Sequence, residues 1–215
     1  MTGHSQSWDS HYTRQKSALF YPDENLVRML KPYVESISEK EKLLCLDMGC
    51  GSGRHLSLAK ETGIGTVIGM DISYNGLEIA KKFGAALIQG DGCRVPFRDS
   101  SIDVIIAWGS LHYARKKDLS MAISEIHRIM KKGSVLFGTL RCSRDTMLKK
   151  GKNLGNDEWI TNLSDIENSL VSFYDVDELL KYFSIFDSFS YGRMERTPLG
   201  DIDKIISHWY FRAFK

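Results

Sequence analysis

Short apolar runs, rich in β-branched residues, alternate along the chain with segments whose apolar positions recur at helical spacing. That pattern predicts a parallel sheet with crossover helices, an α/β fold of Rossmann-like type with helices on both faces. Residues 42–47 read as a first buried strand, followed by a glycine cluster and a helix over 54–61. Strands are expected over 66–71, 85–89, 101–108 and 134–141. Ser73 is placed to cap a helix carrying Leu77, Ala80 and Phe83, which Gly84 ends. Leu119, Ala122, Ile123, Ile126 and Met130 form a further apolar helical face that stops near Gly133. Upstream, Asp23 caps a helix through Leu26, Val27, Leu30, Tyr33, Val34 and Ile37, in which Pro32 is expected to cause a kink or break.

Towards the C-terminus, Asp175 and Glu178 have capping-box spacing for a last helix. Two strands over 185–191 and 207–214 follow too closely for a helical crossover, so they should pair antiparallel. The expected total is about seven strands in one domain spanning 1–215. Residues 1–40 read as an N-terminal cap segment, and 142–174 as an irregular insertion long enough to suspect function, such as a lid on an acceptor site.

The most informative segment is LDMGCGSGR, residues 46–54, between the first strand and the first helix. Gly49, Gly51 and Gly53 remove side chains where the chain turns at the carboxyl edge of the sheet, the edge at which open α/β sheets bind ligands. A glycine-rich turn without a ligand is the alternative. A dinucleotide fingerprint would put a glycine where Arg54 stands, and a phosphate-cradling loop would end in Gly-Lys-Ser/Thr. Asp71 ends the second strand, 22 residues after Gly49. A carboxylate there suits an unphosphorylated ribose diol, so no diphosphate is required.

These motifs resemble the class I S-adenosylmethionine-dependent methyltransferases, in particular the small-molecule branch similar to quinone-biosynthesis methyltransferases. The resemblance runs from about residue 42 to 140: LDMGCGSGR looks like the cofactor loop, GMDIS the ribose-binding acid, QGDGCRVPF the adenine-contacting turn, and SIDVIIAWGSLHY the fourth strand and its exit. Lys132-Gly133-Ser134 departs from the family's usual Pro-Gly-Gly and should alter that turn, away from the cofactor. The resemblance implies that Gly49, Cys50, Gly51 and Gly53 hold the methionine portion of S-adenosyl-L-methionine, with Asp47 near its ammonium. It puts Asp71 on the ribose, Ile72 against the adenine, Asp91 on the adenine amino group, and Gly92 or Cys93 at the ring nitrogens. Trp108 and Gly109 would line the region near the methyl group. Asp91 as a strand-end turn former, and Asp103 as a structural acid, are the plainer readings.

Methyl transfer needs a general base only when the acceptor carries a proton at working pH. His112, with Tyr113 beside it, is the candidate, although a packed strand-end histidine is the alternative. Trp8, Tyr12, Phe20 and Tyr21, with Trp159, Phe173 and Tyr174 of the insertion, are candidate walls for an organic acceptor. The implied activity is methyl transfer to a small organic molecule. An RNA-modifying methyltransferase, similar to the tRNA wobble-uridine type, and a non-catalytic S-adenosylmethionine-binding module are the competing readings.

Composition adds limits. With 42% hydrophobic and 26% charged residues and a net charge of +2, the 215-residue chain is neither disordered nor a strongly basic scaffold. The total hides an asymmetry: residues 112–152 hold eleven Lys or Arg against three acids, a local balance of +8. Such a stretch is a candidate site for an anionic acceptor, a phosphate or an RNA, or is simply a solvated face. The N-terminus lacks an apolar stretch of signal-peptide type, and no run approaches the roughly 18 apolar residues of a membrane span. Cys45, Cys50, Cys93 and Cys142 form no CxxC pair and the histidines no metal spacing, which fits free thiols and a cytoplasmic setting without a metal. Oligomeric state is not legible.

Overall fold

Alternating side chains of the first strand face two different cores, and this organises the whole computed structural model, which describes residues 3–13 and 19–215. In β1 (Leu44–Met48), Leu46 and Met48 point into one core and Cys45 into the other. Strands buried on both faces need near-continuous apolar runs, and the central strands supply them. Beside β1 lie β2 (Thr66–Asp71) and then β3 (Ala86–Gln89) on one side, with β4 (Ile102–Ala107) and β5 (Met130–Cys142) on the other, all parallel. Helices α2 (Glu24–Glu35), α3 (Arg54–Glu61) and α4 (Tyr74–Ala80) pack on the Cys45 face. Helices α5 (Lys116–Ile129) and α6 (Val176–Tyr182) cover the other.

Most expected caps are present. Asp23 accepts from the backbone N–H of Asn25, Ser73 from that of Gly76, and Asp175 with Glu178 closes a capping box. Gly84 ends a 3-10 turn after α4 in the left-handed conformation. Pro32 does not divide α2: it lies in the last turns, and only the one backbone bond it cannot donate is lost.

Three expectations are corrected. Within the expected N-terminal cap segment, Gly3–Thr13 forms a helix, α1, that the hydrophobic pattern did not indicate. No separate turn precedes the fifth strand: β5 begins at Met130 directly after α5, and the glycine at 133 is taken up in a register shift against β4. Among the described residues the sheet has ten strands, the seven expected and three more. The insertion is ordered as β6 (Gly151–Gly155), β7 (Glu158–Thr161) and β8 (Leu170–Tyr174), an antiparallel meander joined to the end of β5 through Arg141 and Cys142. The final pair, β9 (Ser188–Arg196) and β10 (Ile206–Phe214), is antiparallel as expected, and β10 runs antiparallel to β5 over Val135–Arg141.

Candidate active site

A cleft of about 410 Å³ opens at the carboxyl ends of β1, β2 and β4, within the range of roughly 300–1,000 Å³ typical of small-molecule sites. Its wall contains Gly49, Asp71, Ile72, Asp91, Gly92, Cys93, Gly109 and Tyr113. Of the other residues singled out in the sequence, Asp47, Cys50, Gly51, Gly53, Trp108 and His112 lie outside that wall. Gly51 is held from behind, its N–H donating to Asp71 Oδ2 at 2.7 Å, while the Cys50 thiol is buried. Gly53 caps α3 against Phe83 and Ala80, and Trp108 is buried beside His55.

The glycine loop is shaped by what leans on it. Gly49 has φ +76°, and a Cβ there would collide with Ser110, whose hydroxyl donates to the Met48 carbonyl at 2.8 Å. Gly51 has φ +51°, and a Cβ there would collide with the Tyr12 hydroxyl. Both positions therefore exclude a side chain twice over, by conformation and by contact. Gly109 donates to the Thr139 hydroxyl at 2.8 Å, tying the exit of β4 to β5.

Asp71 is only 8% exposed and ties the loop to the start of α4, since Oδ1 also accepts from Ser73 N at 2.8 Å. Burial raises its pKa, and the backbone hydrogen bonds from Ser73, Gly51 and Ile72 oppose the rise. Asp47 is 1% exposed, and burial pushes its pKa up to about 7 against the lowering influence of Arg54. Its Oδ2 has no hydrogen-bond partner among the described residues. Such a buried orphan acceptor is what a ligand ammonium would satisfy. With the glycine-lined wall and the cleft volume, it fits the amino-acid end and adenosine of S-adenosylmethionine.

Helix α1 closes the cleft. Asp9 Oδ1 accepts from the Ser73 hydroxyl at 2.6 Å and from Asn75 N at 3.2 Å, and Asn75 Nδ2 donates to the Asp9 carbonyl at 3.1 Å. On its other side, the Ser7 hydroxyl meets Ser169 at 3.2 Å and His11 Nδ1 lies 2.5 Å from the Asp165 carbonyl oxygen. The helix thus spans from α4 to the insertion, and places Trp8 and Tyr12 in the cleft wall. Trp8 meets Tyr113 edge-on at 4.7 Å.

The insertion reaches the cleft wall through Leu170 and braces the segment between β4 and α5 from behind. Glu158 of β7 accepts from Lys116 N at 2.7 Å, capping α5, and from Arg115 Nη1 at 3.1 Å. The Ser172 hydroxyl of β8 donates to the Ala114 carbonyl at 2.6 Å. Tyr113 packs on Leu148, Val171 and Phe173. Ser110, Arg115, Asp118 and Leu170 are wall residues that the sequence reading missed. The signals were regional: Arg115 and Asp118 lie in the basic stretch, and Leu170 in the insertion. His112 sits behind the wall, 1% exposed, and burial drives its pKa well below the usual value, with Nδ1 unpartnered among the described residues.

The basic stretch disperses in three dimensions. Arg115, Lys116, Arg128, Lys131, Arg141, Arg144 and Lys149 all pair with described carboxylates. Most of those partners, including Asp103, Asp157, Glu158, Glu178 and Glu195, lie outside residues 112–152.

Residues 46–138 match the model of a methyltransferase domain family. Demethylmenaquinone methyltransferase of Staphylococcus aureus is 29% identical over 139 residues, 61% of this chain and 56% of that protein. A probable tRNA methyltransferase 9B of Mus musculus is 29% identical over 129 residues, 59% of this chain and 28% of that protein. The matched region thus spans about half or less of these curated relatives. Among solved structures, an S-adenosylmethionine-dependent methyltransferase of Methanosarcina mazei superposes with a TM-score of 0.65 at 20% identity, over 86% of this chain and 97% of that one.

Proposed function

We propose that this chain, whose residues 46–138 match a methyltransferase domain family, is a class I S-adenosylmethionine-dependent methyltransferase that moves a methyl group to a small organic acceptor. The observation that carries the reading is the enclosure of the cleft's far end by Trp8, Tyr113 and Leu170, drawn from α1, the exit of β4 and the insertion. An aromatic and apolar wall of that kind suits a planar organic molecule. S-adenosylmethionine supplies a methyl group on a sulfonium, whose thioether departs readily, so the protein's task is alignment and exclusion of water.

In this reading Asp71 accepts from the ribose, Ile72 and the turn at Asp91, Gly92 and Cys93 hold the adenine, and Asp47 meets the ammonium. Cys50, Gly51 and Gly53 shape the loop from behind, and Trp108 supports Gly109 at the methyl end. Tyr113 faces the acceptor. His112 packs 4.4 Å from the Tyr113 ring and positions it. Arg115, whose side chain is 46% exposed with one nitrogen held by Glu158, would recognise an anionic acceptor group. Residues 142–174 then act as the acceptor-site wall of a single domain. Four free cysteines fit a reducing, cytoplasmic setting, and among the described residues no helix is long and apolar enough to cross a membrane.

RNA as acceptor is the second reading, favoured by the similarity to a probable tRNA methyltransferase. The ion pairing of the basic stretch speaks against it, leaving Lys150 and Lys152 of the insertion among the cations without a described carboxylate partner. The test is transfer of labelled methyl groups into a metabolite extract and a total RNA pool. Label in a small molecule, diminished by Trp8→Ala and indifferent to Lys150→Glu with Lys152→Glu, supports the proposal. Label in RNA that falls steeply with salt would favour the second reading. Cofactor binding with no label in either pool would make the chain a binding module.

A further inference from the structure

Three neighbouring strands bring basic side chains to one face of the sheet. Phe137, Tyr210 and Met194 pack into the core beneath α2. Side chains alternate along a strand, so Arg141 of β5, His208 of β10 and Arg196 of β9, each an even number of residues away, share that face. Arg141 stands directly opposite His208, and Arg196 lies one step further along, opposite Ile206. The His112 ring joins them from the exit of β4, 5.8 Å from that of His208. From there a row of rings leads to the cleft, because His112 is 4.4 Å from Tyr113 and Tyr113 is 4.7 Å from Trp8. Gly109 of the cleft wall is tied to Thr139, two residues before Arg141 on the same strand face.

The cluster holds unspent hydrogen-bonding groups. Arg141 Nη1 binds Asp145 Oδ2 at 2.7 Å, but its buried Nε has no acceptor among the described residues. Asp145 is already committed, since it also accepts from Ser207 N and Leu148 N. One His112 nitrogen is taken by the Thr139 carbonyl, which leaves Nδ1 of the neutral ring as a bare acceptor. Arg196 is exposed and pairs with no carboxylate among the described residues. Burial lowers the His208 pKa to about 2, and the charges of Arg141, Arg196 and Arg54 add to the fall. Uncompensated positive charge beside orphaned donors suits an anion, and a guanidinium fork matches two oxygens of a carboxylate or phosphate.

We propose that Arg141, His208 and Arg196 bind a carboxylate or phosphate group of the methyl acceptor, with His112 Nδ1 accepting from an O–H of the same molecule. The proposal rests on the methyltransferase reading above and names the class of its acceptor, an organic acid or a phosphate ester. Arg196, the exposed member, gives the anionic group its way in, and the row of rings from His208 to Trp8 carries the rest of the molecule to the cleft.

The test transfers labelled methyl groups from S-adenosylmethionine into a metabolite extract, with and without prior phosphatase treatment, and separates the products by anion exchange. Label should enter small molecules that the resin retains. Its loss after phosphatase identifies a phosphate, and its persistence a carboxylate. Arg196→Gln should raise the amount of extract needed for half-maximal labelling about 10- to 100-fold, the range for a charge-assisted hydrogen bond. Arg141→Lys, which keeps a charge for Asp145 but loses the fork, should do the same. Should Arg141→Lys fail to fold, Arg196→Gln decides alone, since its side chain is exposed and unpaired. Calorimetric affinity for S-adenosylhomocysteine should stay unchanged in both. Label in an uncharged or cationic molecule or in RNA, or label in an acid that Arg115→Gln diminishes and Arg196→Gln does not, would overturn the assignment. Wild type that labels nothing would instead bring down the methyltransferase reading itself, and the assignment with it.

Discussion

The Asp71 carboxylate and the Gly51 amide are joined by a 2.7 Å hydrogen bond that ties the end of β2 to the middle of the glycine loop. The acid proposed to hold the ribose therefore also holds the loop proposed to hold the methionine. Ser73 N and Ile72 N also donate to this carboxylate, which leaves about one of its four lone-pair sites for a ligand.

Asp71→Ala should weaken S-adenosylmethionine by about one to two decades, at roughly 1.5–3 kcal/mol for a charge-assisted hydrogen bond. Asp71→Asn should lose less, since an amide oxygen still accepts. The alanine variant should also melt lower without ligand, because Gly51 and Ser73 lose a buried acceptor. Full cofactor affinity in Asp71→Ala, measured by calorimetry, would remove the ribose from this residue.

Asp47 supplies a pH signature. Its folded pKa, about 7, lies above the ordinary carboxylate value of 3.8, so the folded state binds the proton more tightly than the unfolded one. Stability from this group is complete below about pH 4 and is lost as pH rises to about 7, by an amount on the order of 4 kcal/mol. Asp47→Asn should flatten that decline in denaturant titrations of the ligand-free protein. An unchanged pH profile would show that the carboxylate is already ionised and solvated.

Gly51→Ala combines a left-handed backbone with a collision against Tyr12. The backbone part costs roughly 1–2 kcal/mol, and the collision should displace α1 from the loop. Trp8, edge-on to Tyr113, reports the displacement by its fluorescence. Adding Tyr12→Ala should restore only the collision part of the stability. No recovery in the double variant would mean that α1 does not rest on the loop.

Glu158 is 8% exposed and serves both Lys116 N and the Arg115 guanidinium. Glu158→Ala should cost about 1–3 kcal/mol, because a helix-end donor loses its buried acceptor. Cofactor affinity should stay the same, because the adenosine side of the cleft is built by other strands. A loss confined to cofactor binding, with unchanged melting temperature, would contradict the placement of the insertion at the acceptor end.

The local sequence determined the framework: continuous apolar runs fix β1, β2, β4 and β5, Ser73 and Asp175 fix two helix starts, and the glycine spacing with Asp71 points to a ligand with an unphosphorylated ribose, the cofactor itself being implied by the family resemblance. Those features are legible because burial on both faces and the capping of orphan N–H groups act over a few neighbouring residues. Tertiary structure alone decided the rest. The +8 of residues 112–152 is largely offset because carboxylates such as Asp103, Glu178 and Glu195 arrive from other elements. The meander of β6, β7 and β8 was unreadable because the first two carry little apolar alternation and gain their order by pairing with each other and with β8. Helix α1 has almost no apolar stripe of its own. Its docking through Asp9 and its Trp8 and Tyr12 contacts exist only once Ser73, Asn75, Gly51 and Tyr113 have been brought to one edge of the sheet.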